Sequence, residues 1–401
     1  MELNIPRSES TRIGKKWTLL YGRRKVGKTY LLENTISFDQ YILIGREGTI
    51  WVEGSKRKKL GSFDELSDHV KEELENGRKI IIDEFQRAPM DQIEWISTSH
   101  PSGQLILSGS SLSVVKKILD PGSPLLGKLS ELRLDLIRSE DLFASNSNLI
   151  SLDKAPYISD PWTIPFIGKG EVLSELYELL RGTSYTVPAL VGEIFHEEGR
   201  TLSEIYQGIL SSLGSGKTRP NEIASNLYKK GLIPRDGASQ ISPYIEALKK
   251  MGLIEEIGIF QKKRKILRFS SPVMTLYYYM EAKYGLEREL PPYKEVEANL
   301  RKIHSFCIEH YLVKAFGRKM GGQLRYSFDP EIDGIIVDRK ERPLAVLEVK
   351  WKDLRNEDVK GFSEKTSDFN CDRILLTKEK SDLESDEIKI MEENDIMDFL
   401  K

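Results

Sequence analysis

Sulfur and long apolar runs are what this chain lacks most. Cysteine occurs twice, at Cys307 and Cys371, and never as a Cys-x-x-Cys pair, which excludes a disulfide-framed scaffold and a thiolate zinc site. No apolar stretch approaches the roughly 20 residues of a membrane-crossing helix. The first ten residues lack the apolar centre of a secretory signal, so the expected setting is cytoplasmic. Net charge is also nearly missing. Sixty Lys and Arg against 62 Asp and Glu leave −2, so contact with a polyanion has to use a local basic patch. What the chain does have is 39% hydrophobic and 30% charged residues over 401 positions, enough to build two or three cores.

Three regimes follow one another. From Trp17 to Ile137, continuous apolar runs (17–21, 41–44, 80–82 and 105–107) alternate with polar, helix-like stretches. Continuous rather than alternating apolarity predicts strands buried on both faces, in a parallel sheet flanked by helices. A proline-rich passage from Ala155 to Pro165 reads as a linker. Helices are then expected over 201–213, 220–230 and 238–251, followed by strands at 253–257 and 265–269; three helices and a hairpin in that order predict a winged helix. Beyond Pro291 come a long helix to Lys319 and strands around 332–338, 344–351 and 373–377. The fold class expected is α/β multidomain: a parallel-sheet domain (1–145), a linker and winged-helix middle domain (146–285), and a small α/β domain (286–401).

The first regime carries the most specific motif. Gly22, Arg23, Arg24, Lys25, Val26, Gly27, Lys28 and Thr29 satisfy G-x-x-x-x-G-K-T between an apolar strand and a helix opening at Tyr30. That context turns the pattern into a phosphate-binding loop: backbone N–H groups and a helix N-terminus face the phosphates, Lys28 reaches the outer ones, and Thr29 offers a hydroxyl to Mg²⁺. Asp83 ends the apolar strand Lys79 to Ile82 and is the expected second metal contact, with Glu84 placed to take a proton from the attacking water. Ser108, Ser110 and Ser111, after a later strand, are candidate sensors of the outer phosphate. A second Gly-Lys-Thr at 216–218 lacks the first glycine, since Ser211 stands there, and reads as a turn.

The third regime holds a set of acids on apolar faces. Strand alternation puts Leu344, Val346, Glu348 and Lys350 together, and Asp333 with Ile335 and Val337, while Glu309 falls in the helical stripe of Phe306, Val313 and Phe316. Such acids are costly to bury unless they meet each other, a cation or a metal. Glu309, Asp333 and Glu348 are hard-oxygen ligands suited to Mg²⁺, and Lys350 is placed to orient or activate a water against a phosphodiester. The Asp…Glu-x-Lys arrangement resembles the PD-(D/E)xK nuclease core; a plain salt bridge of Lys350 to either acid is the simpler alternative. In the middle regime, Lys262, Lys263, Arg264 and Lys265 form a basic hairpin tip expected to contact DNA phosphates. Lys56 to Lys59 reads as an exposed loop.

Taken together, residues 21–29, Ile82 to Gln86, 107–111, Ser123 to Gly127, 331–333 and 348–351 make the chain resemble the archaeal P-loop ATPases of the AAA+/STAND group that carry a winged helix and a C-terminal nuclease-like domain. The resemblance implies ATP binding and hydrolysis and action on DNA. The alternative is a nucleotide-dependent switch or adaptor whose last domain binds nucleic acid or a protein without cleaving. One departure is that Gly127 is followed by Lys128, not by the arginine that family members often carry; Arg133 or a neighbouring subunit is then the candidate for an arginine finger.

Overall fold

The computed structural model describes residues 4–13, 17–54, 57–98, 101–145, 150–286, 288–379, 383 and 385–401. The chain divides into two compact units. One comprises Pro6–Leu136 with Leu190–Thr201; the other comprises Ile137–Ala189 and Leu202–Lys401, with Asn4 and Ile5.

The first unit is built on strands β1 (Thr18–Tyr21), β2 (Gln40–Ile44), β3 (Ile50–Glu53), β4 (Lys58–Leu60), β5 (Lys79–Asp83), β6 (Gln104–Gly109) and β7 (Ser130–Arg133). Their order across the sheet is β4-β3-β2-β5-β6-β1-β7, with the five strands from β2 to β7 parallel. The apolar runs are continuous because successive side chains enter two cores. Leu19, Ile80, Ile82, Leu105 and Leu107 join one, and Leu20, Ile81, Ile106 and Leu132 join the other. The antiparallel β3 and β4 were not anticipated. Lys58 and Lys59, expected in a loop, lie on the exposed edge strand β4, where lysines deter further strand pairing; Lys56 lies outside the described residues.

The second unit contains the helices Glu204–Gly214, Pro220–Lys229 and Ser242–Lys250, then strands β8 (Ile254–Ile259) and β9 (Lys265–Phe269). The helices Pro272–Tyr284 and Tyr293–Lys319 follow, with β10 (Gln323–Phe328), β11 (Glu331–Val337), β12 (Pro343–Lys350), β13 (Asp372–Thr377) and β14 (Lys389–Met391). The hairpin is not a separate wing. β8 pairs in parallel with β10, giving one seven-stranded sheet ordered β14-β13-β12-β11-β10-β8-β9. The boundary expected at 285/286 therefore falls inside a single compact unit. Gly258, Arg325, Ile335 and Val346 share one row of this sheet. Because β8 and β12 run the same way, the turn after β8 and the residues Asp333 and Glu348 lie on the same side of that row.

The proline-rich passage is not a linker. Ala155–Ile158 is a helical turn and Pro161–Phe166 a 3-10 turn, each with proline in its first positions, where no N–H is needed. Tyr157 and Thr163 are fully buried. The Tyr157 hydroxyl meets His304 Nδ1 at 3.0 Å. Asp153, just upstream, accepts from Trp351 Nε1 at 2.6 Å and Lys378 Nζ at 2.7 Å. Among the described residues, no helix is long and apolar enough to cross a membrane.

Candidate functional site: a phosphate-binding loop and a buried acid cluster

β1 delivers the chain into the loop at Gly22, where only glycine fits: a Cβ would stand 2.0 Å from the carbonyl oxygen of Leu134. Val26 anchors the loop in the core below. Lys25 (φ 68°) and Gly27 (φ 90°) turn it through left-handed backbone, so that the helix Lys28–Thr35 starts facing the loop. Lys28 is buried, and its Nζ donates to the carbonyls of Gly22 at 2.9 Å and Arg23 at 3.2 Å. Burial lowers its pKa, against the opposing pull of Glu84, Asp83 and Glu197. Thr29, Lys25 and Tyr30 are exposed at the loop surface.

Asp83 is 1% exposed at the end of β5. Its Oδ2 accepts from Thr29 Oγ1 at 2.7 Å and from the Tyr41 hydroxyl at 2.6 Å. The predicted partners Thr29 and Asp83 are thus joined across 54 residues of sequence. They offer a hydroxyl and a carboxylate, the hard donors that Mg²⁺ takes. Tyr41 is a contact that sequence reasoning missed. Burial and the Asp83 charge raise its pKa, so it stays a donor.

Glu84 adopts φ 58°, ψ 36°, a left-handed conformation costing a non-glycine residue about 1–2 kcal/mol. Its carboxylate accepts from Gln86 Nε2 at 2.6 Å, and the same amide donates to Ser110 Oγ at 3.0 Å. Arg87 and Arg24 lie 3.5 and 3.9 Å from it. Of the other serines, Ser111 caps the helix Leu112–Ile118, while the Ser108 hydroxyl is buried without a partner. Lys128 donates to the carbonyl of Ser97, and Arg133 pairs with Asp135 at 3.0 Å.

Arg24 has a further set of partners that no motif announced. Its guanidinium meets Glu193 Oε2 at 2.6 Å and Glu197 Oε1 at 2.5 Å. Both acids come from the end of the helix Thr186–Glu197, whose last residues belong to this unit. Glu198 accepts from the backbone N–H groups of Leu112 at 2.6 Å and Ser113 at 3.1 Å.

In the second unit, Glu348 is 3% exposed on β12. Its Oε1 accepts from Lys350 at 2.7 Å and from Lys365 at 2.6 Å, while its Oε2 is buried with no hydrogen-bond partner. Lys365, on the helix Asn356–Lys365, was not foreseen. Asp333 Oδ2 accepts from the Val349 N–H at 2.8 Å. Burial first, and the Glu348 charge second, push its pKa up to about 6. Burial followed by the Asp333 charge pushes Glu309 up to about 8. Burial would lower the pKa of Lys350, but its bond to Glu348 and the Asp333 charge prevail and raise it. The four residues thus share one electrostatic neighbourhood. Leu344, by contrast, is exposed, and β12 is buried on both faces from Ala345 to Val349, not alternating. Among the described residues, no three His, Cys, Asp or Glu side chains are gathered as a metal-binding group. The partnerless Glu348 oxygen beside Asp333 is nevertheless a hard-donor pair that suits a divalent cation.

At the hairpin turn, Lys262, Lys263 and Arg264 are exposed and form no ion pair among the described residues, whereas Lys265 is held by Glu256 at 2.7 Å.

Residues 14–137 match the family model described as an AAA domain, and the first unit carries an AAA-type, nucleotide-binding P-loop. An uncharacterized protein of Methanocaldococcus jannaschii is 23% identical over 393 residues, covering 86% of this chain and 85% of that protein. The Aeropyrum pernix ORC2 protein in ADPNP-ADP complexes aligns over 73% of this chain and 88% of its own, at 12% identity and a TM-score of 0.36. The Aeropyrum pernix ORC1 protein in complex with DNA aligns over 71% and 91%, at 16% identity and a TM-score of 0.27. Scores this low fall short of a shared overall fold.

Proposed function

We propose that this protein hydrolyses ATP at the P-loop and acts on DNA, with Asp333, Glu348 and Lys350 as a Mg²⁺-dependent, nuclease-like centre. The observation that carries the reading is the junction of Lys28, Thr29, Asp83 and Glu84 at the mouth of one parallel sheet. In it, Lys28 would leave the carbonyls of Gly22 and Arg23 for the outer phosphates, and Thr29 and Asp83 would hold the metal. Bound Mg²⁺ supplies charge neutralisation of the phosphates. Glu84, steered by Gln86, takes the proton of the attacking water. Lys28→Ala is expected to abolish nucleotide binding in a fluorescent-nucleotide titration. Glu84→Gln is expected to keep binding and slow hydrolysis about 10²- to 10⁴-fold. Unchanged binding and turnover in Lys28→Ala would remove the ATPase half of the proposal.

Support for the DNA half comes from the exposed Lys262, Lys263 and Arg264, which lie at the same end of the sheet as Asp333 and Glu348. We read the three helices and the hairpin as a winged-helix module merged with the acid-bearing sheet. Asp333 and the free oxygen of Glu348 are the metal contacts in this reading, with Glu309 nearby. Lys350, kept charged by Glu348, orients water and stabilises negative charge and is not the base. The test is supercoiled plasmid with Mg²⁺ or Mn²⁺, with and without ATP, beside Asp333→Ala and Glu348→Ala. Metal-dependent nicking lost in both variants supports the centre. DNA binding without cleavage under every condition favours the adaptor reading, which has its own observation: Lys350 and Lys365 already neutralise Glu348.

A further inference from the structure

A cavity of about 150 Å³ lies in the second unit, among the end of the Glu204–Gly214 helix, β9 and the helices Pro272–Tyr284 and Tyr293–Lys319. Its walls are mostly apolar, with Leu267, Phe269, Ile303 and Phe306 among them, and no Asp or Glu lines it. The basic side chains that line it are Arg268, Lys302 and His310, and burial lowers the pKa of the last.

Arg268 is the anomaly. Its guanidinium lies 4.4 Å from the centre of the Phe306 ring and 5.4 Å from that of Tyr326, and its Nε is buried without a hydrogen-bond partner. Among the described residues it pairs with no carboxylate. Glu255, directly opposite on β8, is taken by Lys314 at 2.6 Å and His310 at 3.0 Å. His310 also meets the Tyr326 hydroxyl at 2.8 Å, so it has no free nitrogen to offer. The side chain is half-buried, and its one buried N–H without an acceptor costs free energy that an anion reaching it would recover. Lys302 is exposed and adds a second positive charge to the lining.

The geometry points to a binding site for one single-ring aromatic anion. A cavity of this volume accepts one benzene-sized ring; the apolar walls take the ring, and Arg268 takes the carboxylate or phosphate attached to it. The purine double ring is excluded by size. Two sources share this chemistry, a free aromatic carboxylic acid and an aryl phosphate.

The test is isothermal titration of the full-length protein with benzoate, phenyl phosphate and neutral benzyl alcohol. Binding of at least one anion, tighter than benzyl alcohol by about tenfold or more, is the result expected from a charge-assisted contact. Arg268→Gln is expected to remove that advantage while leaving benzyl alcohol binding unchanged; Arg268→Lys retains part of it. Leu213→Trp, which fills the cavity, is expected to abolish binding of every probe. Thermal melts establish that each variant folds. Preference for phenyl phosphate or for benzoate identifies the source. No anion binding, or equal anion affinity in wild type and a folded Arg268→Gln variant, overturns the proposal.

Discussion

Glu309 carries a carboxyl that the folded chain prefers protonated, up to a pKa of about 8, against about 4.3 for an unperturbed Glu. Between these values the unfolded state gives up its proton first. Stability therefore falls as pH rises from about 4 to about 8 and levels off above. Glu309→Gln is expected to lift the melting temperature of metal-free protein by a few degrees at pH 8, and to change it little at pH 5. Parallel melting profiles of the two proteins across this range would refute the assignment. Glu255 behaves in the opposite sense. Despite its burial, Lys314 and His310 hold its pKa down to about 2. Its contribution is whole above about pH 5 and is lost as pH falls towards 2. Glu255→Gln is expected to cost about 1–3 kcal/mol in denaturant melts at neutral pH, since its charge-assisted bonds are lost but the pair with Lys314 is partly exposed and screened. The acid cluster was legible because Glu309, Asp333 and Glu348 sit on apolar stripes where a charge is out of place. Tyr41 and Lys365 carried no such signal: each is an ordinary residue in its own segment and acquires meaning only through a partner distant in sequence.

The P-loop element was readable because its chemistry is local: glycines, lysine and threonine act at fixed spacing between a strand and a helix. Its restraint was not. Glu193 and Glu197 grip Arg24 from more than 160 residues away, on a helix whose pattern reads only as amphipathic. These carboxylates add negative charge beside the loop, and Glu197 is felt at Lys28. Glu197→Gln is accordingly expected to tighten nucleotide binding roughly tenfold, the order of one screened charge pair, as read by fluorescent-nucleotide titration. Weaker binding instead would mean that the acids shape the loop more than they oppose phosphate. The two misread elements have physical reasons. Prolines at the start of short helical turns look like linker signals until burial of Tyr157 shows otherwise, and β4 is a three-residue, lysine-bearing edge strand with no apolar periodicity to detect.

At the scale of the whole chain, the sequence indicates the order of secondary-structure elements but not how strands are shared. Continuous apolar runs gave the first sheet; nothing local to β8 or β10 announces that they pair, since the parallel match joins residues 67 positions apart at Arg325 and Gly258. A fragment of residues 286–401 would lose β8 and β9 and bare the edge of β10. Unpaired edges recruit other chains, so this fragment is expected to aggregate or melt without cooperativity, whereas a soluble, cooperatively melting fragment would show that the sheet tolerates the cut. The shared sheet also bears on the proposed action on DNA. From β8 to β12 there are three strand spacings of about 4.8 Å, or about 14 Å, and the hydrogen-bonded ladder allows that distance little play. The merged hairpin is thus a ruler rather than a tether. If the basic turn grips a backbone that the acids cut, the scission point is a constant few nucleotides from the grip, and lengthening the turn changes affinity while leaving product length as it was.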